Sequence, residues 1–548
     1  MKLFVRCIAS AVALFAGTLA LSPASAETVL NRGNGGEPVT LDPHLTDGRV
    51  ESNIFRDLFE GLLVYGPDGR LLPGVAESWD VSEDGLTYSF HLRANAKWSN
   101  GDPITADDFI YSLRRAVAPH GGPAAANLRL IEKADAVMAG TAPPTQLGVT
   151  ATDPATLRIR LSTPAPYFLA LLSSDNMALP VHRASVEANG DRWTEPGKLV
   201  SNGAYTLAEW QRGKPLVVTR NPNYYAKDSV SIDRVVFHPV ADPDEEMKLY
   251  RAGLLHVTNE VPQEQVKWIS LSQPKEFWNK PYLATYYYAL NLTAEPFKGN
   301  PTLRKALSLA INRQTIVEKV TRAGEMPAYG LVPPVVPNYR RPLPAYVAEP
   351  MERRLEDARR LFADAGYGPS QPLKLEILYN TSDNNDAIAT AVRSQWETAF
   401  GKGLIVTTVS VDRTEYLKRR ARRDFQVVRA AWIGDIADPT AFLNLMLSTA
   451  QPPRNDPGYH NAKYDALLAK AAATIDTPER AKLLVEAERM MVDDVPVLPI
   501  YHFATKSLVS TQVKGWTFNI RDVHPSRFLS IGDPTPPPST ANKTAAAF

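Results

Sequence analysis

Apolar and polar positions along this 548-residue chain switch repeatedly between a period of two and a period near 3.6. Leu86, Tyr88, Phe90 and Leu92 alternate with Thr87, Ser89 and His91, which predicts a strand. Leu157, Ile159 and Leu161 alternate with Arg158 and Arg160, and Leu373, Leu375 and Ile377 with Lys374 and Glu376. Phe425–Ala431 reads as a further strand, followed by Gly434, which permits a turn. Helical spacing runs through Leu303, Leu307, Ala310, Ile311, Val317 and Val320, behind a Pro301 suited to a first turn. A second helix carries Leu355, Ala358, Leu361, Phe362 and Ala365 and stops at Gly366. A third begins at Thr477-Pro478 and buries Ala481, Leu484, Val485 and Met491. The chain has no internal repeat. Its fold class is mixed α/β, and periodicity alone leaves the domain order open.

The first residues change the picture. Lys2 and Arg6 precede an apolar run from Ile8 to Leu21, and Ala24 and Ala26 fit a small-residue cleavage site. Residues 1–26 therefore read as a removed signal peptide and the protein as exported. No other stretch approaches the roughly 20 apolar residues of a spanning helix. The one cysteine, Cys7, falls inside the signal, so the mature chain has no disulfide, thiolate metal site or cysteine nucleophile. About 520 residues remain, enough for two or three domains stabilised by core burial alone. The tail Asp533–Phe548 is rich in Pro, Thr and Ala and reads as disordered. Without Lys2 and Arg6 the chain carries 58 basic against 59 acidic residues, a balance that steers it neither to nucleic acid nor to anionic lipid.

Enzyme signatures are missing. There is no H-E-x-x-H, no G-x-S-x-G and no P-loop, since Gly197-Lys198 is followed by Leu199. The nine histidines include no pair at i,i+3 or i,i+4, so no helical metal site is expected, and no cofactor. One basic run, Lys418, Arg419, Arg420, Arg422 and Arg423, reads as a solvated helix face or as a face from which one arginine turns inward toward a ligand carboxylate.

Several motifs together resemble the peptide/nickel family of extracellular solute-binding proteins. They include Ala76-Glu-Ser-Trp79, Asp84-Gly-Leu-Thr-Tyr-Ser-Phe-His-Leu-Arg93, Ala96-Lys-Trp-Ser-Asn-Gly101, Thr105-Ala-Asp-Asp-Phe109, Asn202-Gly-Ala-Tyr205, Arg220-Asn-Pro-Asn-Tyr224 and Ala306-Leu-Ser-Leu-Ala-Ile311. Leu41-Asp-Pro-His44, Met326-Pro-Ala-Tyr-Gly330, Leu378-Tyr-Asn-Thr-Ser-Asp383 and Arg429-Ala-Ala-Trp-Ile-Gly-Asp435 are similar to its oligopeptide binders. The resemblance implies a periplasmic two-lobed clamp with three domains. A discontinuous domain I (27–60, 184–285 and 503–532) and an inserted domain II (61–183) form one lobe; domain III (286–502) forms the other. It further implies a monomer that captures short peptides, roughly two to five residues long, as an added β-strand. A membrane ABC permease/ATPase complex would be its other partner.

The resemblance assigns Asp435 to the peptide's α-ammonium, and Ala431, Trp432 and Ile433 to its backbone through main-chain groups. Asp47, Gly48 and Arg49 match a loop whose backbone contacts the ligand from the facing lobe. Arg429 and Arg420 match two arginines around the cleft, Arg429 for the ligand's carboxylate. An inward Arg429 among apolar neighbours requires a partner, either that carboxylate or an ion pair within the chain. Asn380, Tyr282 and Tyr287 are further pocket candidates. The chain departs from the family at Ala289, where a Glu is usual, at Asn385 in place of a His, and at Arg413 in place of a cleft Trp. Arg413 also suits a ligand with an extra carboxylate, such as murein tripeptide. Other cargo, an exported hydrolase and a periplasmic chaperone are the competing readings.

Overall fold

The period-two segments become strands whose pairing sorts the chain into two lobes. A computed structural model describes residues 27–119, 123–174 and 176–532; the expected signal peptide and the expected disordered tail lie outside the described residues.

In the first lobe, Val29–Gly33 runs parallel to Arg234–His238, which pairs with Leu216–Arg220 and then Tyr205–Glu209. Its core joins Leu30, Phe55 and Leu58 to Tyr205, Val218 and Phe237 and to Val513 and Leu529 near the chain end. Beside it, Ala76–Val81, Thr87–Leu92, Thr156–Arg160 and Val149–Asp153 form an antiparallel sheet. That sheet packs on the helix Ala106–Ala116 over a core of Phe90, Phe109, Leu157 and Phe168.

The second lobe is built on a six-stranded mixed sheet. Its order is Met326–Pro327, Val497–Ala504, Pro281–Leu290, Val427–Ile433, Leu373–Asn380 and Leu404–Val411. Alternation along Pro281–Leu290 divides its aromatics between two cores. Tyr286, Tyr288 and Leu290 face one, with Trp396 and Tyr501. Leu283, Tyr287 and Ala289 face the other, with Phe442 and Tyr464. The helices Met351–Asp364 and Thr477–Asp494 match their sequence signals, the latter capped by the Asp476 side chain. The pattern from Leu303 to Val320 does not form one helix. Pro301–Leu309 ends, and Asn312 starts a new turn by accepting from the Thr315 N–H at 3.0 Å. A π-turn, Ile316–Thr321, completes the segment. A polar cap inside the apolar pattern decides the break.

Three distant segments of the first lobe meet at one buried polar group. The Tyr224 hydroxyl donates to Glu60 Oε2 at 2.6 Å, and the Arg527 guanidinium donates to the same carboxylate and to Tyr224 Oη at 2.8 Å. Between the lobes, Ile436 is buried against the core of residues 62–178. Nearby, Arg480 grips Asp438 with two bonds of 2.7 and 2.9 Å and lies over the Tyr167 ring. The lobes thus touch beside an intervening cleft.

Glu60 and Arg527 are both buried, so removing one strands the other's charge. Arg527→Met should lower stability by about 3–5 kcal/mol in chemical denaturation. The same change in a Glu60→Gln background should cost much less, because no unpaired carboxylate remains.

Candidate functional site

The strand Val427–Ile433 has a neighbour along only part of one side. Its full length pairs with Pro281–Leu290, from Leu290↔Val427 to Ala284↔Ile433. On its other side, Leu373–Asn380 pairs only at Ile377↔Val427 and Leu378↔Val428. Alternation then fixes which main-chain groups are left over. The Asn291 N–H donates to Gln426 O, and the Gly434 N–H donates to Leu283 O at 2.8 Å, so even-numbered positions bond to Pro281–Leu290. Odd-numbered positions point away, and Arg429 O on that side accepts the Tyr416 hydroxyl at 2.5 Å. Ala431 and Ile433 therefore turn their N–H and C=O groups to an open edge. Trp432 does not: its main chain belongs to the ladder opposite Thr285, and its contribution to the cleft is its indole. The expectation that Trp432 offers main-chain groups is corrected accordingly.

This open edge lines a cavity of about 590 Å³ between the lobes. Ala431, Trp432, Ile433, Gly434 and Asp435 form one wall, with Arg413 and Arg454. The facing wall carries Asp47, Arg49, Ser52, Asn53 and Arg56 from the helix Arg49–Leu58 and the loop before it. Tyr282, Arg521, Asp522, Asn127 and Asn176 close the remaining sides. Gly434 is required for space rather than for a turn: a Cβ there would stand 2.9 Å from Phe442 and 3.0 Å from Leu283.

Asp435 makes no hydrogen bond or ion pair among the described residues. Its side chain is exposed to the cavity, and partial desolvation between the walls raises its carboxyl above the usual range; the Arg521 and Arg454 guanidiniums pull it back down, and Asp47 pushes it up. A carboxylate without a partner, just beyond a free strand edge, can hold a cation presented by an extended chain. Arg429 is part-buried and has no ion pair among the described residues. It lies 4.9 Å over the Tyr286 ring and touches Asn380 Oδ1 at 3.5 Å, while its Nε has no hydrogen-bond partner. The intrachain ion pair is thus absent among the described residues, although Arg429 and Asn380 lie beyond the cavity's lining.

Three other expected positions are occupied internally. Arg420 is the inward arginine of the basic run, but its fork is bound to the buried Asp456 and to Pro453 O, which leaves no donor pair for a ligand. Tyr287 is fully buried in the sheet's core, as its inward parity on a central strand dictates. Gly48 caps the helix Arg49–Leu58: its N–H donates to Thr46 Oγ1 at 3.0 Å and its carbonyl accepts the Ser52 N–H and hydroxyl. Asp47, Arg49 and Tyr282 do reach the cavity, with Arg49 3.5 Å from Asp522. Of the departures, Ala289 is buried, Asn385 bonds Asn380 and Tyr286, and Arg413 lines the cavity. Sequence reasoning missed Arg56, Arg454 and Arg521, which no local pattern distinguishes from surface arginines.

Comparisons with known proteins bear on this arrangement. Residues 70–453 match the family described as bacterial extracellular solute-binding proteins, family 5 Middle. The chain belongs to this family. Over 516 residues it is 39% identical to the periplasmic oligopeptide-binding protein OppA of Escherichia coli K12, covering 92% of this chain and 94% of that one. It is 38% identical to the periplasmic murein peptide-binding protein MppA of the same strain over 501 residues, covering 90% and 91%. The structure of Haemophilus influenzae OppA in complex with RPPGFSPFR superposes with a TM-score of 0.78 at 34% identity, covering 92% of this chain and 99% of that one. These family 5 relatives are solute-binding proteins with the same two-lobed architecture.

A carboxyl held above its ordinary range protonates early on acidification. Affinity for a cationic amine at Asp435 should therefore begin to fall at a higher pH than for an aspartate in open solution. Calorimetric titrations at stepped pH should show this loss in the native protein and a flatter profile in Asp435→Asn.

Proposed function

We propose that this family 5 protein captures short peptides in its interlobe cleft and delivers them to an ATP-driven importer, without catalysing a reaction on them. The observation that carries the reading is the pairing of an open strand edge, Ala431 to Ile433, with the unpartnered carboxylate of Asp435. A peptide laid along that edge completes the ladder through main-chain bonds that do not depend on its side chains. Its ammonium meets Asp435, and Arg429, without an ion pair among the described residues, is available to a carboxylate. OppA relatives, one of them in complex with the peptide RPPGFSPFR, support the same reading.

The wider proposal is a periplasmic monomer exported through a signal peptide of residues 1–26. Its domain I (27–60, 184–285 and 503–532), domain II (61–183) and domain III (286–502) would close around the ligand. The separate hydrophobic cores of these segments favour that division. A second reading, a dedicated binder of murein tripeptide, is favoured by Arg413 in the cavity wall and by the similarity to MppA.

The test is a cycle of Asp435→Asn against N-acetylation of one tripeptide. Removing either charge alone strands its partner in the closed cleft at a cost of roughly 3–5 kcal/mol. At about 1.4 kcal/mol per tenfold, each single change should then weaken binding at least a hundredfold. The double change should cost little more than either one. Additive losses would mean that the two groups never meet.

A further inference from the structure

The cavity wall carries more positive charge than capture of an ordinary peptide requires. Five arginines line it, Arg49, Arg56, Arg413, Arg454 and Arg521, against three acids, Asp47, Asp435 and Asp522. Only Arg49 has an ion pair, to Asp522. The other four guanidiniums make none among the described residues. Arg454 and Arg521 rest on the rings of Trp432 and Tyr65, 5.9 and 4.8 Å away, and Arg521 Nη1 is buried without a hydrogen-bond partner. Burial pushes the Arg56 guanidinium down, and the nearby Arg521 charge adds to that. Two of the four come from each lobe, so closing the empty clamp brings like charges together in a site that excludes water. An arginine held beside another without an acid is costly, and a bidentate carboxylate removes that cost.

We infer that the cleft selects acidic peptides, whose side-chain carboxylate near the free amine is held by Arg56 and Arg521 of one lobe, with Arg413 and Arg454 facing it from the other. Asp435, Arg521 and Arg454 line the same cavity, which puts these arginines toward the amine end of the ligand. The carboxylate neutralises the charges that otherwise oppose closure, so it acts as a closing ligand as well as a specificity element. This inference rests on the peptide-capture reading and narrows its substrate class.

The experiment is calorimetry with three tripeptides, Ala-Glu-Ala, Ala-Ala-Ala and Ala-Lys-Ala, after bound ligand has been stripped by unfolding and refolding. The glutamyl peptide should bind at least tenfold tighter than the alanyl one, and the lysyl peptide most weakly. In Arg56→Gln and Arg521→Gln the ratio of glutamyl to alanyl affinity should fall toward one. Free glutarate, a carboxylate source without a peptide backbone, should bind at least a hundredfold more weakly than Ala-Glu-Ala. Equal affinities for all three peptides in the native protein would overturn acid selection and leave peptide capture standing. A native preference that persists in both variants would overturn the roles of Arg56 and Arg521. Glutarate binding as tightly as Ala-Glu-Ala would overturn the peptide attribution, and no binding by any of the three would count against capture itself.

Discussion

A strand whose neighbour stops short leaves main-chain donors and acceptors that something else must satisfy. Val427–Ile433 is in that position, because Leu373–Asn380 pairs with it only as far as Val428. An exposed edge of this kind invites uncontrolled pairing with other chains. Here it lies inside the cavity between the lobes. Much of the remaining architecture serves that edge. Pro281–Leu290 holds it from behind, Gly434 lets Phe442 and Leu283 pack beneath its end, and Tyr416 occupies the last carbonyl before the open stretch.

The two lobes contribute unlike things. The six-stranded lobe supplies the edge and the Asp435 carboxylate. The other supplies the helix Arg49–Leu58, whose cap at Gly48 fixes Asp47 and Arg49 at the opposite wall. That helix is anchored from below: Asp57 accepts the Ser526 N–H, and Glu60, just beyond its end, is clamped by Arg527. Segments hundreds of residues apart in sequence therefore set the position of one cavity wall. Charge then divides by depth. Buried arginines are satisfied within the fold, Arg420 and Arg527 by acids and Arg313 by backbone carbonyls, whereas most of those lining the cleft make no ion pair among the described residues.

Strands and two of three marked helices were legible in the sequence because each carries its own period and caps. The helix from Leu303 was misread because its apolar spacing continues across a break that Asn312 imposes. The placement of Asp435, Ala431 and Ile433 at the cavity was legible through the resemblance of Arg429–Asp435 to a family motif. The roles of Arg420, Tyr287 and Gly48 were not, since each depends on a partner that only the fold brings near: Asp456, the sheet's core and Ser52. Trp432 shows the same limit more finely. Its neighbours two residues apart face the ligand edge, and parity alone, visible only once the ladder is known, turns its backbone the other way. Arg56, Arg454 and Arg521 come from three separate segments and carry no local signature.

The central claim is that the ligand completes this strand edge. Residue-resolved amide hydrogen exchange, on protein stripped of ligand and then saturated with a tripeptide, tests it most directly. The Ala431 and Ile433 amides should exchange readily without peptide and become protected when it binds, while the Trp432 amide stays protected in both states. Saturation with peptide that leaves Ala431 and Ile433 exchanging as before would contradict the account.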